Sequence, residues 1–225
     1  MFRGISKIIA ILPLIFAISF GSRVLRAGDI SGIVKGPPYQ TGKEKPIDRY
    51  RGRSSRVTPS PETMDAPDPG FYSVIYLTGD SLPAVQPLDY LPKITQKDKM
   101  FQPPVMAVTV GSTVEFPNLD PYYHNVFSYS KPKKFDLGRY EQGKSKSVTF
   151  DTPGLVKIFC EIHYSMRAYL HVLDTPYYAV TDEHGSFSIN DVKAGVYTLH
   201  LWQENQDNTT MEIVVTDKPL ELTIE

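Results

Sequence analysis

Short β-rich segments separated by turn residues are the feature that most constrains the fold of this chain. Six of them lie in its middle, at residues 105–110, 113–116, 126–129, 147–150, 156–159 and 168–172. They are rich in β-branched and aromatic residues, which is typical of the strands of a sandwich or barrel. No segment after the N-terminal region shows a helical period with caps. The pattern therefore predicts an all-β fold.

The amino-acid composition limits both the size of the core and the kinds of molecule that this chain can bind. The chain has 225 residues, of which 41% are hydrophobic and 12% aromatic, so it can bury the core of one large or two small domains. Lys and Arg total 24 against 25 for Asp and Glu, so no overall field attracts nucleic acid. We expect no nucleic-acid partner, and any electrostatic docking must be local.

The N-terminus, residues 1–27, has the pattern of an export signal. Arg3 and Lys7 precede an apolar run at residues 8–20, which is shorter than the roughly 20 residues that cross a bilayer. Cleavage near Ala27 is favoured over an uncleaved anchor. We therefore expect a periplasmic or otherwise extracytoplasmic protein, with no membrane span in the mature chain unless the signal is retained.

Cysteine usage is the first clue to chemistry, because exported proteins normally pair their cysteines and this chain has only Cys160. A buried inert thiol, an intermolecular disulfide and a metal thiolate are all open explanations. The neighbours of Cys160 favour the metal, since His163 and Met166 follow within seven residues. Thiolate and thioether suit Cu(I), while imidazole serves both copper oxidation states.

A second histidine ligand must come from elsewhere in the chain, because two His, one Cys and a long axial Met form the blue-copper set. His124 fits best, since it follows a turn-rich stretch and begins an apolar run. We expect Asn125 to hydrogen-bond to the Cys160 loop and to hold the two ligand loops in register. The remaining three histidines are interpreted as ordinary surface or half-buried residues: His171, His184 and His200.

Taken in order, the stretch 111–118, the pair His124-Asn125 and the loop 160–166 resemble the plastocyanin and amicyanin group of cupredoxins. The resemblance extends from about residue 94 to 174, and the two-residue gap before Met166 is similar to the short loop of amicyanin. It implies a Greek-key β-sandwich that transfers electrons by an outer-sphere route. It also implies one copper ion, cycling between Cu(I) and Cu(II), with four ligands: His124, Cys160, His163 and the weak axial Met166.

The same resemblance implies that His163 passes the electron to a redox protein partner through an apolar patch. The candidates for this patch are Pro121, Tyr122, Tyr123 and Tyr164. The basic stretch 131–146 is better explained as a solvated face than as a docking site.

Residues 176–225 carry a different pattern: a hairpin around a D-E-H-G turn, then an A-G turn and a Y-T-L strand. This part resembles the carboxypeptidase-regulatory, transthyretin-like β-sandwich. Its missing strands are predicted at 29–35 and 71–78, with a long irregular loop at 36–70 between them. We therefore expect a second small sandwich in two pieces, 28–92 and 176–225, with the cupredoxin inserted at 93–175.

Two alternatives to electron transfer stay open: a copper carrier or storage protein, and a metal-free structural or carbohydrate-binding module. An enzyme is not expected. A trinuclear copper cluster needs more histidines than the five in this chain, and a binuclear centre needs two cysteines.

Overall fold

Sixteen strands and no helix make up the part of the chain that the structure, a computed structural model, describes: residues 27–35, 72–80 and 82–225. The predicted all-β class is confirmed. Within these residues there is no helix of the length and apolarity needed to cross a membrane. Most of the predicted signal and the predicted loop at 36–70 lie outside the described residues.

Nine strands form what we call the middle sandwich. They are β3 (Thr95–Lys97), β4 (Met100–Gln102), β5 (Val105–Thr109), β6 (Ser112–Pro117), β7 (His124–Tyr129), β8 (Lys134–Tyr140), β9 (Ser145–Phe150), β10 (Gly154–Phe159) and β11 (Arg167–Leu173). Five of them form one sheet in the order β5-β11-β10-β7-β8, in which only β5 and β11 run parallel. Strands β6 and β9 form a second sheet, and β3 and β4 form a hairpin. Bridges join Lys93 to Glu115 of β6, and Gln96 to Asn118 just after β6.

Alternation of apolar and polar residues explains why these segments are strands. In β6, Ser112, Val114 and Phe116 are buried while the residues between them are partly exposed, as expected of a strand with one face on a core. Each fully buried large apolar side chain stabilises the folded state by about 1.5–3 kcal/mol relative to the same side chain exposed to water. Cys160 and Met166 belong to the same buried core, so two predicted ligands lie inside the sandwich instead of on its surface.

The other seven strands form the outer sandwich. They are β1 (Ala27–Val34), β2 (Ser73–Thr78), β12 (Tyr178–Val180), β13 (Ser186–Lys193), β14 (Gly195–Gln203), β15 (Thr209–Val215) and β16 (Leu220–Ile224). Its sheets have the orders β13-β1-β16 and β12-β2-β14-β15. Strands β1 and β2 precede the middle sandwich in sequence, and their partners follow it. The predicted second small sandwich is therefore present and split in sequence.

The predicted domain boundaries stay a prediction, and three contacts bear on the boundary at residue 93. The hydroxyl of Thr109 donates to the Gln86 carbonyl at 2.6 Å, and the backbone N–H of Leu88 donates to Ser112 Oγ at 2.9 Å. Leu88 also packs against the middle core. Residues 86–88 thus contact the middle sandwich, although they precede the predicted boundary at residue 93.

The two sandwiches share an apolar and aromatic interface. Val74 of the outer sandwich is buried together with Val105, Ala107 and Leu173 of the middle one. The ring of Trp202 lies beside them on β14, at 4.5–5.2 Å from two rings of β11. On the rim, Glu204 accepts a hydrogen bond from the hydroxyl of Tyr169 at 2.5 Å and pairs with Arg167 at 3.2 Å. Strand β11, which follows the predicted ligand loop, is therefore packed against the outer sandwich.

Candidate metal centre

Three of the predicted ligands converge at one end of the middle sandwich. His124 begins β7, Cys160 follows the last residue of the adjacent β10, and His163 lies in the loop between β10 and β11. The Nδ1 atoms of His124 and His163 are 3.0 Å apart. The Sγ atom of Cys160 lies 3.8 Å from the first of these nitrogens and 3.9 Å from the second. The Nδ1 atoms of the two imidazoles and the Sγ atom of the cysteine therefore face a common centre.

The size of this triangle fits a metal ion. A circle through the three atoms has a radius of about 2.1 Å, close to the bonds of about 2.0–2.1 Å to nitrogen and about 2.3 Å to sulfur that first-row ions such as zinc make in proteins. Among the described residues, this is the one group of three His, Cys, Asp or Glu side chains that is arranged to hold a metal. Two imidazoles with one thiolate suit copper.

The ligand loop is closed by its own backbone. The N–H of Met166 donates to the His163 carbonyl at 3.0 Å, and the N–H of Cys160 donates to the Met166 carbonyl at 3.3 Å. Met166 is only 1% exposed and packs in the same core as Cys160. The structure thus buries Met166 at the base of the loop, and its role as the axial ligand stays a prediction.

Burial is uneven among the three converging side chains. His124 is fully buried and Cys160 is 4% exposed, while His163 is half-buried. The sulfur is thus shielded from water, and the site reaches the surface at His163.

The residues predicted to form an apolar docking patch are all exposed. Tyr164, next to His163, is 94% exposed, and Pro121, Tyr122 and Tyr123, which precede His124, are exposed as well. The amino group of Lys99 lies 5.3 Å from the centre of the Tyr122 ring. Two exposed aliphatic side chains that the sequence analysis did not select lie in the same loops: Leu119 and Ile162.

The surroundings of Cys160 favour its thiolate. Burial raises the pKa of this thiol, but the hydrogen bond with His124 and the hydrogen bonds from the backbone of Asn125 and from His163 outweigh burial and lower the pKa to about 6. A thiolate is the form of cysteine that binds a metal. Cys160 is therefore suited to act as a ligand near neutral pH.

Asn125 connects the two ligand-bearing segments. Its Oδ1 atom accepts a hydrogen bond from the backbone N–H of Glu161 at 2.7 Å, immediately after Cys160. Its amide group also donates to Asp136 at 3.5 Å. This is the contact expected from the sequence, and its effect on a bound metal stays a prediction.

Asp120 is a member of the site that the sequence analysis missed. Its Oδ2 atom lies 2.8 Å from Nε2 of His124, on the side of the ring away from Cys160. Burial raises the pKa of this carboxyl, but hydrogen bonds from the backbone of Lys99 and from His124 lower it below its ordinary value. The signal in the sequence was a carboxylate four residues before a candidate ligand, which is weak without knowledge of the loop conformation.

The three remaining histidines do not join the centre, but the interpretation of one of them was wrong. His171 is 6% exposed and buried against Trp202, because β11 is covered by the outer sandwich. His184 is exposed, and His200 is half-buried with its Nε2 atom 2.8 Å from the hydroxyl of Thr78. The predicted absence of a ligand role for these histidines stays a prediction.

Two protein families match parts of the chain. Residues 89–173 match the copper-binding proteins of the plastocyanin/azurin family. Residues 164–218 match domain II of polysaccharide lyase family 4, and the predicted transthyretin-like assignment of this part stays a prediction. No curated protein matches the chain.

Several solved structures resemble part of the chain. A copper-containing nitrite reductase from Thermus scotoductus SA-01 is 25% identical with a TM-score of 0.36, covering 43% of this chain and 25% of that one. A purple cupredoxin from Nitrosopumilus maritimus is 21% identical with a TM-score of 0.33, covering 36% and 99%. An amicyanin variant in its Cu(I) form is 21% identical with a TM-score of 0.36, covering 44% and 99%. The present chain thus spans a quarter of the length of the reductase.

The family match, the strand arrangement and the His-Cys-His cluster together support a cupredoxin domain with a copper site within residues 89–173. The match to the copper-binding family covers less than half of the chain. The function of the complete chain is therefore a matter of proposal.

Proposed function

We propose that this chain is an exported type 1 copper protein that transfers single electrons by an outer-sphere route. The observation that carries the proposal is the triangle of His124, His163 and Cys160 donor atoms, within a segment that matches a copper-binding family. Met166 is the proposed weak axial ligand, because it is buried at the base of the same loop. One copper ion per chain is part of the proposal.

Copper, when bound, supplies a one-electron couple between Cu(II) and Cu(I). The protein's contribution is a site that changes little between the two states. His124 is held at the start of a strand, Cys160 is tied to Met166 through the backbone, and Asn125 ties the two segments together. Ligands fixed in this way keep the reorganisation on electron transfer small.

The route to a partner follows from exposure. His163 is the one member of the triangle that is half-exposed, and the exposed Tyr164 adjoins it in sequence. We propose that Pro121, Tyr122, Tyr123 and Tyr164 contact a redox protein partner, since aromatic side chains are enriched in interface cores. No nucleic acid and no substrate at the metal are part of this function, and we propose that the chain is not itself an enzyme.

We propose a location outside the cytoplasm, and the support for it is the residues of the proposed signal, 1–27. We propose that the outer sandwich anchors or presents the middle sandwich. The support for this role is the buried interface at Val74 and Leu173.

Voltammetry of the copper-loaded protein tests the proposed activity. We expect a reversible one-electron couple with one copper per chain, and we expect Cys160→Ser to abolish it. The copper should also survive competition by a strong chelator. Rapid loss of copper to the chelator without a reversible couple would overturn electron transfer and favour a copper carrier.

A further inference from the structure

The carboxylate of Asp120 is buried and lies within hydrogen-bond distance of three nitrogen atoms. Its side chain is only 7% exposed. The backbone N–H of Asp98 donates to Oδ1 at 2.7 Å, and the N–H of Lys99 donates to Oδ2 at 2.8 Å. Nε2 of His124 lies 2.8 Å from Oδ2. The carboxylate therefore joins the β3–β4 hairpin to a ligand of the candidate copper site.

The turn at the tip of the β3–β4 hairpin directs two backbone N–H groups at this carboxylate. Lys97 pairs with Met100, so Asp98 and Lys99 alone form the turn, with φ of 57° and 56°. Two successive residues with positive φ are the mark of a type I′ turn, which usually contains Asn or Gly. This conformation is unfavourable for a residue with a Cβ, because the Cβ comes too close to the following carbonyl oxygen. Both turn N–H groups bind the Asp120 carboxylate, and these bonds offset that cost.

The backbone around Asp120 is also fixed. Its own N–H donates to Oδ1 of Asn118 at 3.0 Å, and the amide of Asn118 donates to the carbonyls of Tyr122 and Tyr140 at 2.8 and 3.1 Å. The N–H of Leu119 donates to the Gln96 carbonyl at 2.8 Å. The carboxylate is therefore held in place independently of His124.

A carboxylate at Nε2 has two consequences for His124. It favours a proton on Nε2, which leaves Nδ1 as the nitrogen that faces Cys160 and His163. It also makes the imidazole a stronger electron-pair donor to a metal, and it brings a negative charge close to the metal position. Both effects favour Cu(II) over Cu(I).

We propose that Asp120 is a positioning residue, held by the β3–β4 hairpin tip, that fixes the tautomer of His124 and lowers the reduction potential of the copper site. The effect on the potential rests on the proposed copper function. The effect on the tautomer concerns the metal-free protein as well. A merely structural carboxylate would stabilise the hairpin and leave both properties unchanged.

Asp120→Asn tests the potential, with Asp98→Asn as the matched control. The control removes a carboxylate from the exposed hairpin tip but keeps the backbone N–H that binds Asp120. In Asp120→Asn we expect the preference for Cu(II) over Cu(I) to fall at least tenfold, an upward shift of about 59 mV for a one-electron couple. In Asp98→Asn we expect a much smaller shift. Equal potentials in Asp120→Asn and the native protein would overturn the proposal.

The tautomer is read from ¹⁵N chemical shifts of His124 in the metal-free native protein, at a pH where the ring is neutral. We expect the proton on Nε2, and a proton on Nδ1 would overturn the proposal even if Asp120→Asn does not fold. A native protein that binds no copper but shows the Nε2 tautomer would contradict the proposed function and leave the tautomer assignment intact. The two failures are therefore distinguishable.

Discussion

The side chain of Asn125 accepts a hydrogen bond from the backbone N–H of Glu161 at 2.7 Å. This single contact joins the segment that begins with His124 to the loop that begins with Cys160. The two segments are 36 residues apart in sequence, so the relative position of the ligands depends on contacts across the sheet. The Asn125–Glu161 hydrogen bond is adjacent in sequence to both ligands, His124 and Cys160.

Asn125→Ala should loosen the site without emptying it. Loss of the partly buried hydrogen bond to Glu161 should cost about 1 kcal/mol of unfolding free energy. We expect copper to remain bound but to be lost faster to a chelator, measured from the decay of copper absorbance. Asn190→Ala, which removes an exposed amide that accepts a hydrogen bond from the hydroxyl of Ser188, is the control. Identical chelation rates in the two variants would mean that Asn125 does not hold the ligands in register.

Met166→Leu should keep copper and change its potential, because an axial thioether is a weak ligand that tunes the redox couple. The exchange conserves volume, so the stability cost should be below about 1.5 kcal/mol. We expect a higher potential for Leu than for Met166→Gln, in which an oxygen donor favours Cu(II). Met106→Leu, which alters a methionine packed against the same core, should leave the potential unchanged. If Met166→Leu lost its copper as completely as Cys160→Ser, Met166 would be a ligand required for copper binding and not a weak axial one.

Tyr164→Ala tests the proposed docking patch. Tyr164 is 94% exposed, so its removal should change stability by no more than about 0.5 kcal/mol. We expect the electron self-exchange rate between Cu(I) and Cu(II) forms, measured by NMR line broadening, to fall several-fold at an unchanged potential. Tyr129→Ala removes a 74% exposed tyrosine at the opposite end of β7 and should leave the rate as it is. Equal self-exchange rates in the two variants would mean that Tyr164 is not part of the docking surface.

His171 should make the protein sensitive to mild acid. Burial lowers the pKa of this imidazole to about 4, against about 6.5 in an unfolded chain. Between these values the unfolded chain binds a proton that the folded chain does not, so the free energy of unfolding falls as the pH falls. The loss approaches roughly 3 kcal/mol near pH 4. It is measured by denaturant unfolding of the metal-free protein from pH 7 to pH 4.

The matched variants separate His171 from the carboxylates that titrate in the same range. His171→Leu should lose less stability on acidification than the native protein, while His184→Gln, at an exposed position, should behave like the native protein. If His171→Leu and the native protein had the same pH dependence, protonation of His171 would not contribute to acid unfolding.

Much of the fold could be predicted because local alternation determines it. The predicted segments 113–116 and 156–159 lie within β6 and β10, whose buried residues repeat every second position. Strand β8 was missed, although Phe135 and Leu137 alternate within it, because its charged residues suggested a solvated face. The ligand cluster was predictable for a similar reason, since Cys160 and His163 are close in sequence.

The residues that escaped prediction depend on contacts between distant parts of the chain. Asp120 is positioned by the turn at Asp98 and Lys99, whose positive φ angles are not signalled by Gly or Asn. His171 lies on a strand that alternation would allow to face solvent, and it is buried because Trp202 of the outer sandwich covers it. Neither contact has a local sequence signature.

The visible absorption spectrum of the copper-loaded protein tests the central claim most directly. A thiolate bound to Cu(II) in a site with two imidazoles gives an intense charge-transfer band, because the transition belongs to the copper–sulfur bond. We expect a strong band near the red end of the visible range that disappears in Cys160→Ser. A Cu(II)-loaded native protein without visible colour would contradict the assignment of His124, Cys160 and His163 as a type 1 copper site.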